Sequence, residues 1–240
     1  MNVKVGCCGF RNSRKTYYKN FDTVEVQMTF YRIFEHDMFK KWKKEAPEGF
    51  VFNIKAFQGV THPTHFNTWR RYGIRPKGDY GYLRDSKEVF LSWQQTLEVA
   101  DMFNSEIILI QLPASFRPTK ENIANAEKFF STIDRKSYKL VVELRGWDLE
   151  NIYKLCKNYE LTDVVDILRR PPVYCANDLL YIRLHGTYTQ RNKIFYQYDY
   201  TLEELEKVWE EVERFNMKEV RIYFNNSYMF KNAKEFKQLR

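Results

Sequence analysis

Eight short runs rich in β-branched and aliphatic residues recur along this 240-residue chain, and seven of them finish in polar or charged residues at alternate positions before a loop begins. They cover residues 2–8, 24–27, 50–55, 107–111, 140–145, 162–166, 180–185 and 219–226. Segments of helical period separate most of them, which calls for strands alternating with helices around a parallel sheet. Eight such units predict an α/β fold: a single TIM-like (β/α)8 barrel domain over residues 1–240. The polar strand ends then meet at one mouth, where barrel enzymes place their chemistry.

Several helices announce their starts. Asp85 with Glu88 and Thr201 with Glu204 have capping-box spacing, while Asp148 and Thr119 can cap two further helices. Two connections break the pattern. Residues 13–20 allow two helical turns at most, and 168–178 carries Arg169-Arg170-Pro171-Pro172, too short and proline-broken for a full helix. The barrel is therefore expected to be irregular after strands 1 and 6.

Residues two apart on a strand share a face, and the outward face of a barrel packs on helices and must be apolar. The polar parity therefore points inward. It gathers Glu25, Lys55, Glu143, Arg145, Arg183 and His185 into one basin, with Asp166, Gln111 and Asn225 beside them. Burying so many ionisable groups costs several kcal/mol unless they pair, so function is the better reason for them, with a mutually satisfied Glu–Arg network as the structural alternative.

In such a basin Glu143 and Glu25 could act as acid and base with His185, while Lys55, Arg145 and Arg183 clamp an anion such as phosphate or carboxylate. A divalent metal on Glu143, Asp166 and His185 is an alternative that the neighbouring cations oppose, so no metal ligand is assigned and the cofactor stays open. His62 and His65 form an HxxH pair past the third strand, better suited to capping or stacking than to a metal. Trp147 can wall the pocket, and Asn225 with Asn226 closes the last strand, where barrels often hold phosphate.

Outside the strands the most distinctive segment is the long irregular loop 61–84. It carries Arg70, Arg71, Arg75, Lys77 and Arg84 against the single acid Asp79, with Trp69, Tyr72, Tyr80 and Tyr82 interleaved. Cations beside stacking rings suit a nucleotide or single-stranded nucleic acid; the alternative is an aromatic-anchored lid with solvated charges. Residues 186–200, with Tyr188, Arg191, Lys193, Phe195, Tyr196 and Tyr198, have the same character.

Composition agrees. A net charge of +8 favours anionic partners, although a solvated Lys/Glu-rich surface gives the same count. The 44% hydrophobic fraction, with 19 Phe and 17 Tyr, supplies a core that needs no disulfide or metal staple. Cys7, Cys8, Cys156 and Cys175 show no paired CxxC spacing, as expected of reduced thiols. Without a leader pattern or a bilayer-length apolar run, a soluble cytoplasmic protein with no membrane partner is expected; the oligomeric state is left open.

In this order the motifs resemble the YecE-like family, domain of unknown function 72. They are Gly6-Cys7-Cys8-Gly9-Phe10, Phe21-Asp22-Thr23-Val24-Glu25, Phe30-Tyr31-Arg32, Lys55-Ala56, Thr61-His62, Gln111-Leu112-Pro113, Glu143-Leu144-Arg145 with Trp147, Arg183-Leu184-His185-Gly186 and Phe224-Asn225-Asn226. The resemblance implies a TIM-like barrel and the same mouth residues, with Tyr31 among the substrate- or anion-binding side chains; it implies no activity. The chain departs from the family in having Cys7-Cys8 for a small polar pair and a shortened stretch between its first two strands. Three functions are weighed: an enzyme acting on a phosphate-bearing nucleotide or nucleic acid by acid and base chemistry, such as a hydrolase; a non-catalytic nucleic-acid binder using loop 61–84; and a sugar-directed or metal-dependent isomerase or hydrolase.

Overall fold

The computed structural model describes residues 1–73, 76–190 and 193–239, with the backbone alone for Arg71 and Tyr72. Arg75, Arg191 and the side chains of Arg71 and Tyr72 thus lie outside the described residues. Eight strands form the barrel: β1 Asn2–Cys7, β2 Thr23–Val26, β3 Val51–Lys55, β4 Ile107–Leu112, β5 Lys139–Leu144, β6 Thr162–Asp163, β7 Leu179–Leu184 and β10 Glu219–Phe224. They pair in parallel as β2-β3-β4-β5-β6 and β1-β10-β7. Single parallel bridges, Cys8 with Glu25 and Val165 with Ile182, join the two arcs into a ring.

Between the strands run α1 Arg14–Asn20, α2 Met28–Tyr31, α3 His36–Glu45, α4 Gln58–Thr61, α5 Lys87–Phe103, α6 Lys120–Thr132, α7 Leu149–Asn158, α8 Leu202–Phe215 and α9 Met229–Gln238. Thr201 and Glu204 form the expected capping box, and Thr119 and Asp148 cap α6 and α7. At α5 the cap falls one residue past the expected Asp85. Ser86 accepts the Val89 N–H and donates to the Asp79 carbonyl, tying the helix start to the preceding loop. No helix among the described residues is long and apolar enough to cross a membrane.

Strand parity sorts the core into two layers. Val24, Phe52, Ile54, Ile108, Ile110, Leu140 and Val142 face outward onto the helices, while Ile107, Leu109, Val141, Val164, Leu179, Tyr181 and Tyr223 fill the barrel's interior. Cys7 and Cys8 diverge likewise: the Cys7 thiol faces the Met229 carbonyl on α9, and Cys8 lies inside beside Arg183.

The irregular connections coincide with the weak seams. Short α1 sends the Tyr17 hydroxyl between β1 and β2, where it accepts the Cys7 N–H at 2.7 Å and donates to the Thr23 carbonyl at 3.0 Å. One phenol thus does what a ladder would do elsewhere. The approach is so close that a Cβ at Gly6 would sit 2.4 Å from the Thr23 oxygen. At the other seam the continuous strand expected over 162–166 shrinks to two ladder residues and a bridge. Asp163 turns outward, taking both amino groups of Arg170 and the Val173 N–H, so the proline-broken segment is bound to the strand itself.

Loop 61–84 is not the structureless segment its composition suggests. It contains a 3-10 turn at Asn67–Tyr72, and its far end returns to α4 through Gly81 N–H to the Gly59 carbonyl and Leu83 N–H to Val60. Gly81 has φ +81°, and a side chain there would collide with Pro63. Trp69 is buried, donating its indole N–H to the carbonyls of His62 and Pro63, with Tyr80 packed against it. A second feature beyond the sequence reading is the hairpin of β8 Thr187–Tyr188 and β9 Ile194–Phe195 above β7.

Tyr17→Phe removes one hydroxyl that serves two buried backbone groups. It is expected to lower unfolding stability by about 1–3 kcal/mol, read from denaturant midpoints at unchanged m-value.

Candidate active site

The strand ends deliver a buried ionic network centred on Arg183 of β7. Its guanidinium donates to Glu25 of β2 at 2.9 Å, to Glu143 of β5, and to the Gln111 side-chain oxygen on β4 at 3.0 Å. The Arg183 and Glu25 side chains are 1% and 0% exposed. Glu25 is saturated: the Tyr181 hydroxyl donates to it at 2.8 Å and the Gln27 amide also reaches it. Beneath it, the Tyr223 hydroxyl lies 2.6 Å from both Thr23 Oγ1 and Asn53 Nδ2.

Glu143 holds the other half. One oxygen takes Arg183, while the other lies 2.5 Å from Arg145 Nε and 3.1 Å from His185 Nε2. Burial alone would raise its pKa, but the charges of Arg145 and Arg183, with His185 beside them, hold it well below the usual carboxylate range. His185 is set between Glu143 and the Asn225 amide, which lies 3.0 Å from Nδ1. Asn225 donating to Nδ1 fixes the tautomer with a proton on Nε2, pointed at Glu143. Burial outweighs that carboxylate and takes the His185 pKa down to about 4, so the imidazole is neutral at physiological pH.

Two other groups are not satisfied in this way. Lys55, at the end of β3, is buried with its ammonium 4.1 Å above the Phe30 ring, and no carboxylate among the described residues forms an ion pair with it. Burial, reinforced by Arg183, lowers its pKa to about 7. Asp166, just past β6, accepts the His185 backbone N–H at 3.3 Å, while its other oxygen is buried without a partner among the described residues. Burial raises it to about 7 against the opposing backbone N–H groups of His185 and Leu168. Together they are the mouth groups whose protonation changes near neutrality.

The remaining expected site residues scatter. Trp147 walls the mouth, its indole donating to the Phe116 carbonyl at 2.8 Å. His62 is buried, edge-on to Phe30 and bonded to Thr61, and burial with the nearby Lys55 charge lowers it to about 3. His65 is exposed against Phe66, so the two imidazoles do not converge. Tyr31 is half-buried on α2, edge-on to Phe30. Asn226 points away from the mouth and binds the Tyr198 carbonyl and Asn232. Among the described residues no three His, Cys, Asp or Glu side chains are grouped to hold a metal ion. Glu143, one of the three considered as ligands, is already engaged by two arginines.

A cavity of about 730 Å³ opens over this network. Glu143, Asp166 and His185 lie in its wall, Arg145, Arg169 and Tyr196 at its rim. Arg169 stacks on Tyr188 with 4.0 Å between guanidinium carbon and ring centre, and Tyr196 lies edge-on to His185. Alternation places Tyr181 on the inward face with Arg183, but the sequence assigned no site role to Tyr181 or Cys8, which the structure sets against Glu25 and Arg183.

Glu143→Gln leaves Arg183 and Arg145 short of a counter-charge in a dry site, and is expected to destabilise the fold by about 3–5 kcal/mol in denaturant titrations. Asp166→Asn acts oppositely. The folded state keeps a proton on Asp166 up to about pH 7, whereas the unfolded chain releases it near the ordinary value of 3.8, so wild-type stability falls as pH rises between those values. Asparagine retains the acceptor without the charge. Its stability relative to wild type should therefore rise between about pH 4 and 7 and level off above, as read from urea midpoints at about pH 5 and 8.

A family model described as "Protein of unknown function DUF72" matches residues 9–240. The UPF0759 protein YunF of Bacillus subtilis (strain 168) is 32% identical over 112 residues, a match that spans 46% of this chain and only 35% of that protein. Crystal structures of DUF72 family proteins from Enterococcus faecalis V583 and Thermotoga maritima MSB8 superpose with TM-scores of 0.73 and 0.71. Their identities are 22% and 24%, over 99% and 100% of this chain and 97% and 99% of theirs. Endonuclease IV from Thermus thermophilus, at 12% identity and a TM-score of 0.58 over 99% of this chain and 100% of its own, is similar in fold alone. Matched from residue 9 to its end, and sharing the barrel of two family crystal structures, the chain belongs to the DUF72 family.

Proposed function

We propose that this protein is an enzyme whose barrel mouth holds a phosphate-bearing substrate, a nucleotide or a nucleic-acid fragment, and acts on it by acid and base chemistry. The observation that carries this reading is Lys55: a buried ammonium with no ion-paired carboxylate among the described residues, beside two glutamates already committed to arginines. A buried ammonium without a counter-ion of its own is short of a negative charge, and a ligand phosphate supplies it. Arg145, its side chain 24% exposed, stands at the lip to meet the same anion.

Proton transfer falls to Asp166 rather than to the glutamates. Glu143 and Glu25 keep the guanidinium groups in place; Glu143, held well below the usual carboxylate range, is a poor base and is not protonated to serve as an acid. Asp166, near pKa 7 and in the cavity wall, has its proton available for a leaving oxygen. The non-catalytic reading based on loop 61–84 is less well supported, because Trp69 and Tyr80 are spent on packing.

Calorimetric titration with thymidine 5′-monophosphate tests the assignment. Lys55→Met should weaken binding about tenfold or more, the worth of one charge-assisted contact, while Asp166→Asn should retain binding and lose turnover of a chromogenic phosphodiester. Equal affinity in wild type and Lys55→Met would remove the phosphate from the mouth.

A further inference from the structure

A second cavity, of about 1250 Å³, lies apart from this network on the same face of the barrel. It opens over the β1–β2 seam, between the loop after β1, the end of β2 and helices α1 and α3. The cavity over Glu143 opens at the β6–β7 seam. Each therefore lies where the ladder thins to one bridge, and a continuous chain of contacts links them: Gln27, in the wall of the larger cleft, binds Glu25, which binds Arg183, which binds Glu143 in the wall of the other.

Both have the same chemistry. Arg11, Arg14, Lys15 and Lys19 line the larger cleft against the single acid Glu45, and that acid is paired with Arg14 at 2.7 Å. Arg11, Lys15 and Lys19 are exposed with no ion pair among the described residues, and half-buried Phe10 and Tyr18, packed edge-on with buried Trp42 behind them, form the aromatic wall. Across the mouth, Arg117, Arg145, Arg169 and Lys193 accompany Trp147, Tyr188 and Tyr196, the last 42% exposed. A compact ligand such as a sugar phosphate uses one such basin; two basins of cations and rings on either side of a buried ionic knot suit a longer polyanion with planar groups between its charges.

The geometry points to a single strand of nucleic acid as the ligand, lying across the mouth with one segment in the Arg11–Lys15 cleft and another in the Arg145–Tyr196 cavity. This deepens the proposed function and rests on the mouth holding a phosphate. It also moves the nucleic-acid surface from loop 61–84 to the first βα corner.

The test measures binding of thymidine 5′-monophosphate, a twelve-residue oligothymidylate and inorganic polyphosphate of similar charge, to wild type and to the Arg11→Gln/Lys15→Gln double variant. Both substituted side chains are exposed, so folding is not at stake. In wild type the oligonucleotide should bind about tenfold or more tightly than the monophosphate, and the double variant should lose that advantage. Losing two contacts should also make the slope of log K against log salt about 1.4 shallower, at roughly 0.7 per contact on a single strand. If the monophosphate binds and the oligonucleotide binds no tighter, or if the variant matches wild type in affinity and slope, the strand assignment falls and the mouth reading stands. Polyphosphate binding as tightly as the oligonucleotide would overturn it too, since the rings would contribute nothing. Failure of the monophosphate itself to bind would take both readings down.

Discussion

One guanidinium organises the upper barrel. Arg183 reaches from β7 to Cys8 of the β1 end, Glu25 of β2, Gln111 of β4 and Glu143 of β5, touching four other strands or strand ends from a single side chain. Aliphatic packing is non-directional and tolerates sliding, whereas a buried guanidinium is stable only when its counter-charges stand at set positions. The ionic knot thus fixes the mouth geometry that the apolar layers beneath it leave loose.

That arrangement divides the ionisable groups in two. Glu25 and Glu143 are neutralised within the protein and serve as framework. Lys55 and Asp166 bear burial without full compensation, which shows as a lowered lysine and a raised aspartate, both near 7. A fold selected for stability alone would replace them with aliphatic groups, and this is the ground on which the proposed function rests.

The barrel's two weak seams belong to the same picture. Where full ladders run, strands meet edge to edge; where one bridge remains, Tyr17 spans one seam from outside, and beside the other the Asp163–Arg170 fork ties the proline-broken connection back to β6. Both seams open into cavities on the mouth face. Irregular connections thus provide space above the sheet at a small loss of backbone pairing.

Much of this was legible in the residues themselves. The alternation along runs such as Leu180 to His185 forced Arg183 and His185 inward, because a strand offers only two faces and the helices claim one. The same rule gathered Glu25, Lys55 and Glu143 and separated Cys7 from Cys8. Alternation tells which side of the sheet a side chain faces, but not its partners around the ring, so which carboxylate Arg183 would hold and which cation would be left alone were settled only by closure of the barrel. Asn226 shows the limit: its position beside Asn225 promised the mouth, and the opposite face of the strand end gave it to Asn232 and the Tyr198 carbonyl. Loop 61–84 shows it again, since composition cannot tell a stacking ring from a packed one until burial decides. Local period along the chain set the number of units and the inward residues; pairing, protonation and open space came only with the closed barrel, because these depend on distances between residues far apart in the chain.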